Sequence, residues 1–195
     1  MKKILFVGLW AFILFHAKGQ TLIFEDGLPL KNQQDLIALE LCQIYGLDQG
    51  IRQRNIGCGP KAALIDSTNF IKIIDIIDKY GFPCEKTLGE YFRGECVTMA
   101  AIAVMLHNTH KMVKDRKIFN LLLREVNRGN LFAKVFATFL DKYYFMQTFD
   151  TVRKVYYGSQ WGKPCIEDRA ISDSLRNEIG LPPLKDEDFK DCSKQ

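Results

Sequence analysis

The stretch DSTNFIKIIDIIDKYGFP, residues 66–83, decides the fold. Within it Phe70, Ile73, Ile74 and Ile77 recur at i, i+3, i+4 and i+7, so a helix lays all four on one face toward a core. Gly81 stands where a helix that has run its length takes a glycine cap. Upstream, Pro60 suits the first turn of the same helix, because a first-turn N–H has no intrahelical partner to lose. The same punctuation organises the chain on both sides. Asn32 to about Ile56 reads as an earlier helix, with Leu36, Leu39, Leu41, Ile44 and Tyr45 facing inward, and GCGP (57–60) interrupts it. FPCEKTLGEYF (82–92) reads as a loop, because Pro83 and Gly89 break any helical run. Glu95 to about Thr109 is apolar almost throughout and reads as a helix buried on most sides.

Further on, Lys111–Arg128 reads as one helix closed by Gly129. Phe132, Val135, Phe136, Phe139, Leu140 and Tyr143 mark a strongly amphipathic one. The last helix runs from about Asp168 to Ile179, stopped by Gly180. No alternating run is long enough to demand a sheet. The expected fold is all-α: a single-domain bundle of five to six helices with irregular loops over residues 20–184. A charged and weakly ordered tail, 185–195, follows.

Residues 1–19 read separately. Met1-Lys2-Lys3 is a positive start, Ile4–Phe15 is an uncharged apolar run, and Ala17-Lys18-Gly19 supplies small residues for cleavage. That is the layout of a secretory signal peptide. The run is short of the roughly 20 residues a membrane span needs; an uncleaved N-terminal anchor is the alternative. Cleavage before Gln20 leaves 176 of the 195 residues, and with Lys2, Lys3 and Lys18 gone the formal charge falls from +4 to +1. Such a balance lacks the basic footprint of a nucleic-acid binder. The expected protein is exported, periplasmic or extracellular, with no stable membrane span after cleavage.

The six cysteines, Cys42, Cys58, Cys84, Cys96, Cys165 and Cys192, all lie beyond the leader. An even count in an exported chain suggests disulfides. Neighbour pairing (42–58, 84–96, 165–192) closes the shortest loops, and free buried thiols are the other reading. No CxxC spacing supports a zinc knuckle.

Polar residues with chemical potential are scattered. His107 and His110, the two histidines outside the leader, stand at i, i+3 near the end of the apolar helix, on one helical face. HxxH without a glutamate or a spaced third ligand is a weak metal signal, and no metal or other cofactor is expected. His107, at the end of the apolar stretch, has the better claim to a pocket. Asp48, Gln49 and Arg52 form a second group whose bland reading is a surface pair. Asp66 and Asn69 flank the isoleucine stripe, and Asp141 adjoins Phe139 and Leu140. The loop RKVYYGSQWGKPC (153–165) concentrates aromatics, two glycines, Ser159 and Gln160. It is not a nucleophile elbow, because Tyr157 stands where that motif has glycine.

Taken in order these blocks resemble the bacterial domain of unknown function 6624 family. DQGIR (48–52), DSTNFIKIIDIIDKYGFP (66–83), LHN (106–108), FLDKYY (139–144), YGSQ (157–160), IED (166–168) and LRNEIGLPPL (175–184) carry the likeness, which spans about Gln34 to Leu184. The chain departs from the pattern at Leu106, where the family has glutamine, at Ser159 for threonine, and at Lys142 for an arginine. Lysine does not replace a bidentate arginine clamp. The resemblance implies that Asp48, Gln49, Arg52, Asp66, Asn69, His107, Asp141, Tyr157, Gln160 and Arg176 share one neighbourhood; it supplies no reaction.

Three functions fit these residues. The first is an exported hydrolase or lyase working by general acid–base chemistry. In it His107 is base or acid, Asp66 or Asp141 orients it, and Arg52 holds an anionic group. The second is a non-catalytic envelope module binding a small polar ligand or an envelope protein. The third is a buried hydrogen-bond network that fixes helix packing and binds nothing.

Overall fold

A computed structural model describes residues 31–53, 59–147 and 153–193. Among them run eight α-helices: α1 (Lys31–Gly50), α2 (Pro60–Tyr80), α3 (Glu85–Leu88), α4 (Glu95–His107), α5 (Thr109–Lys114), α6 (Arg116–Asn127), α7 (Ala133–Gln147) and α8 (Arg169–Glu178). The one β-type pairing among the described residues is an isolated parallel bridge between Cys165 and Lys190. The fold is all-α, and none of these helices is long and apolar enough to cross a membrane. Residues 1–19, expected from the sequence to be a signal peptide, lie outside the described residues.

The stripe in α2 behaves as its spacing predicts: Phe70, Ile73 and Ile77 are buried. Pro60 opens the helix and Gly81 closes it at φ +89°. Glycine is needed at 81 for a second reason. A Cβ there would come within 3.0 Å of the Glu125 and Asn130 side chains. Glu125, on α6, is wholly buried yet fully bonded. It accepts from the Phe82 amide at 3.0 Å, Asn130 Nδ2 at 2.7 Å, and Arg124 and Arg128 at 3.1 Å each. This knot ties the end of α6 to the α2–α3 corner.

α4, hydrophobic on nearly every side, fills the centre. Ala100, Val104 and Met105 are shut from solvent, and α1, α2 and α7 pack around it. The closest partner is α1, and the Cys42–Cys96 disulfide staples the two together, 4.7 Å between Cα atoms. That bridge corrects the neighbour pairings 42–58 and 84–96: helix packing, not loop length, decides which sulfurs meet. Cys165–Cys192 forms as expected. Cys84 is a free thiol, and Cys58 lies outside the described residues.

Other local expectations change. Residues 82–92 contain α3 and a 3-10 turn over Gly89–Arg93. The run 111–128 is two helices, because Asp115 leaves the helical conformation and its carboxylate caps the next one, accepting from the Lys117 amide at 2.9 Å. Phe132, placed on the buried face of α7, is exposed just ahead of it. Leu36 and Leu39 on α1 are exposed as well. The charged tail is tied down: Phe189 is buried, the Lys190 amide donates to the Pro164 carbonyl, and Cys192 is bridged.

Candidate functional site

The last turns of α1 and α4 and the second turn of α2 meet at one place. α4 stops at His107 because Asn108 turns out of the helix at φ −120° and ψ 29°. Its amide Nδ2 then bonds the Val104 carbonyl at 3.0 Å and the Asp66 carbonyl at 3.3 Å, fastening the helix end to α2. Asn108 is buried; an asparagine just past an apolar helical run is the sequence signal for such a stop. The break overturns the expected pairing of the two histidines. His107 ends α4, whereas His110 belongs to α5 and is exposed.

With the helix ended there, His107 Nδ1 lies 3.0 Å from Asp48 Oδ1. Asp48 is entirely buried, so the reading of Asp48 and Arg52 as a surface pair is overturned. Its carboxylate also accepts from Gln49 Nε2 at 2.9 Å and Arg52 Nη1 at 3.1 Å. Arg52 additionally bonds the Asp48 carbonyl at 2.6 Å, placing a cation on the carbonyl end of α1. Its other Nη reaches Asp66 Oδ1 at 2.6 Å. One guanidinium therefore bridges two carboxylates from two helices, one terminal nitrogen to each, using the fixed fork of its donors.

The electrostatics follow. A carboxylate accepts only, so a neutral His107 carries its proton on Nδ1, toward Asp48, and presents a bare lone pair at Nε2. The His107 side chain is 26% exposed, and Nε2 has no partner among the described residues. A buried carboxylate that fixes one ring nitrogen and leaves the other unpartnered is an arrangement able to support acid–base chemistry. The orienting carboxylate is Asp48, not Asp66 or Asp141. Arg52, expected to hold a substrate anion, is already committed to two aspartates. Ligand atoms of Asp48, Asp66 and His107 lie within 4.8 Å of one another, a spacing that fits a metal. Arg52 already supplies the positive charge to both carboxylates, so an entering cation would first have to displace it.

The remaining expected site residues do other work. Asn69 is buried and donates to the Ile44 carbonyl at 3.3 Å, joining α1 to α2 instead of facing a ligand. Asp141 is buried too, and both its oxygens are taken by loop amides. Tyr156 and Tyr157 N–H donate to Oδ1 at 2.8 Å and Ser159 N–H to Oδ2 at 2.9 Å. Burial pushes the Asp141 carboxyl up, against the downward pull of those three bonds. Gly158 makes this nest possible. It sits at φ +66°, and a Cβ would come within 2.9 Å of Leu184.

Arg176 clasps the loop from outside, donating to the Tyr157 and Pro182 carbonyls. Tyr157 is itself buried, which pushes its phenol far up and keeps it protonated. Gln160 lines a cavity of about 280 Å³ with Ser159, Thr138, Lys134 and Arg176, a hollow to which His107 does not contribute. The bonds thus divide the expected set in two. Asp48, Gln49, Arg52, Asp66 and His107 form one network, and Asp141, Tyr157 and Arg176 form a loop clamp beside Gln160.

Lys142 follows Asp141 on α7; its Nζ stands 5.7 Å from the Trp161 ring centre, and burial is the first cause that holds its ammonium below the ordinary lysine value. Trp161 is held by its own bond to the Thr138 carbonyl at 3.0 Å. The loop's tryptophan therefore stands against Lys142 of α7.

Comparison of the chain with protein-family models, with curated proteins and with solved structures finds no match in any of the three.

Proposed function

We propose that this chain is an exported enzyme, a hydrolase or lyase, in which His107 Nε2 transfers the proton. One observation carries the reading: His107 is oriented through Nδ1 by a carboxylate that is fully buried, with Nε2 left unpartnered among the described residues. Asp48 fixes the tautomer and stabilises the imidazolium that forms. Gln49 and Arg52 bond the Asp48 carboxylate in place, and Asp66 holds Arg52. Export to the periplasm or the exterior is supported by the leader-like residues 1–19 and by two disulfides, which persist in oxidising compartments. The resemblance to the domain of unknown function 6624 family agrees with gathering Asp48, Arg52, Asp66 and His107.

The test is a panel of chromogenic esters, phosphate esters and glycosides, together with β-elimination substrates. His107→Gln is expected to lower whichever turnover is found by about 100-fold or more, while leaving the circular-dichroism spectrum unchanged. Turnover in the variant at the wild-type rate overturns the assignment.

A second reading has its own support. The network cross-links three helices through a carboxylate hidden from water, which is what a purely structural device requires. On that reading His107→Gln lowers the melting temperature and no substrate in the panel turns over.

A further inference from the structure

We propose that the hollow beside the Tyr157–Gln160 loop is a second binding site of this chain, separate from the His107 network, and that it takes a small molecule carrying a carboxylate or phosphate group.

The hollow, about 280 Å³, lies among Lys134 and Ala137 of α7, Gln160 of the loop, Arg176 of α8 and Leu181. Two of its lining residues are cations and none is a carboxylate. That is the charge pattern of a receptor for anions. Its volume sits just below the range that takes drug-sized ligands, so the occupant is small. Ala137 and Leu181 add apolar wall, which suits a short carbon chain behind the charged group.

Arg176 carries the argument. The residue is only 8% exposed. Its Nε donates to the Pro182 carbonyl at 2.7 Å, and Nη1 donates to the Tyr157 carbonyl. A guanidinium has five N–H donors, so three remain, and among the described residues they meet neither a carbonyl nor a carboxylate. Burying a charge is costly until its donors are paired. The carboxylates that act on Arg176 from a distance, Asp141, Asp173 and Asp188, do not line the hollow, and burial outweighs their attraction. An oxyanion in the hollow supplies the missing acceptor through charge-assisted bonds.

The other lining groups fit the same ligand. Lys134 is exposed, and its ammonium makes no hydrogen bond or ion pair among the described residues, so it can close on an anion that Arg176 holds. Gln160, also exposed, adds an amide donor. The two carbonyls that Arg176 already grips fix the guanidinium before any ligand arrives, which lowers the ordering cost of binding.

The experiment is an NMR titration of the isotope-labelled full chain at pH 7 and low salt, with inorganic phosphate and, separately, with butyrate. The reporter is the Trp161 indole N–H, because it bonds the carbonyl of Thr138, a lining residue. A saturable shift with Kd below about 10 mM is expected for at least one anion. Lys134→Glu should weaken it by about tenfold or more. Lys61→Glu makes the same change of net charge on an exposed residue outside the hollow and should leave Kd within about twofold. Arg176→Gln should abolish saturation; should that variant fail to fold, Lys134→Glu decides alone. Tighter binding of phosphate marks the ligand as a phosphate ester, and tighter binding of butyrate marks it as a carboxylic acid; either supports the proposal. No saturable shift with either anion overturns it, as does Lys134→Glu binding like wild type or no worse than Lys61→Glu. His107 does not line the hollow, so these outcomes and His107-dependent turnover succeed or fail independently.

Discussion

Arg52→Met perturbs the network at its one internal cation, and the consequence is calculable. Asp48 is wholly buried and accepts from Gln49, His107 and Arg52. Removing the charged partner of a buried carboxylate costs about 3–5 kcal/mol, because the surviving charge keeps its desolvation and loses its attraction. The Arg52 side chain is 29% exposed, so water enters the gap it leaves and the cost shrinks to about 2–3 kcal/mol. Methionine keeps the aliphatic stem, which leaves the packing contribution small. In a chain of this length that loss lowers Tm by roughly 4–12 °C. Urea unfolding followed by helical circular dichroism at pH 7 measures it. Adding Asp48→Asn to Arg52→Met removes the stranded charge, so the double variant should recover at least about 1 kcal/mol relative to additivity. Arg52→Met within about 0.5 kcal/mol of wild type, or strict additivity of the pair, refutes the buried-network energetics.

Asp141→Ala leaves the Tyr156, Tyr157 and Ser159 amides without their acceptor. At about 1 kcal/mol each the loss is about 3 kcal/mol. Trypsin should then cut after Arg153 or Lys154 many times faster, and an unchanged cleavage rate counts against the clamp. Glu125 supplies a pH signature. Burial pushes its carboxyl up, but the bonds from Asn130, the Phe82 amide and Arg124, with the Arg128 charge, outweigh that and hold it below the ordinary glutamate value. Its stabilisation is therefore complete above the unfolded glutamate value of about 4.3 and is lost as pH falls through the lower folded value. Glu125→Gln should flatten the fall in Tm between about pH 5 and pH 3; parallel wild-type and variant curves refute the assignment.

Much of the fold is readable without coordinates because apolar spacing and glycine caps are local signals. Phe70, Ile73 and Ile77 turn inward in α2 whatever lies around them, and Gly81 ends the helix where its position says. The failures share one cause. Asp115 divides a run that looks continuous because its side chain bonds a backbone amide two residues on, a contact that hydrophobic periodicity does not register. Cys42 finds Cys96, 54 positions away, because α1 lies along α4. Asp48 and Arg52 look like an exposed i, i+4 pair until α4 ends against them. Burial of polar groups depends on where a distant helix stops, and here Asn108 makes that decision.

The candidate site divides along the same line. Asp48, Arg52, Asp66 and His107 meet because three helix ends converge, and each carries a short polar side chain or a fork to the junction. Asp141 and Arg176 carry equally suggestive groups, but the side-chain bonds they make are to backbone. Both Asp141 oxygens are turned onto loop amides, so this carboxylate positions a loop and has no imidazole beside it to orient. Unspent capacity is therefore the better guide to chemistry than residue type. By that measure His107 Nε2 is the nitrogen at this junction that stays unspent among the described residues, while its other ring nitrogen is fixed by Asp48. The Asp141 clamp does a different job: it orders the loop that carries Trp161, whose indole N–H donates to the Thr138 carbonyl. Loosening the clamp should thus lower stability and free the loop, and leave the Asp48–His107 pair in place.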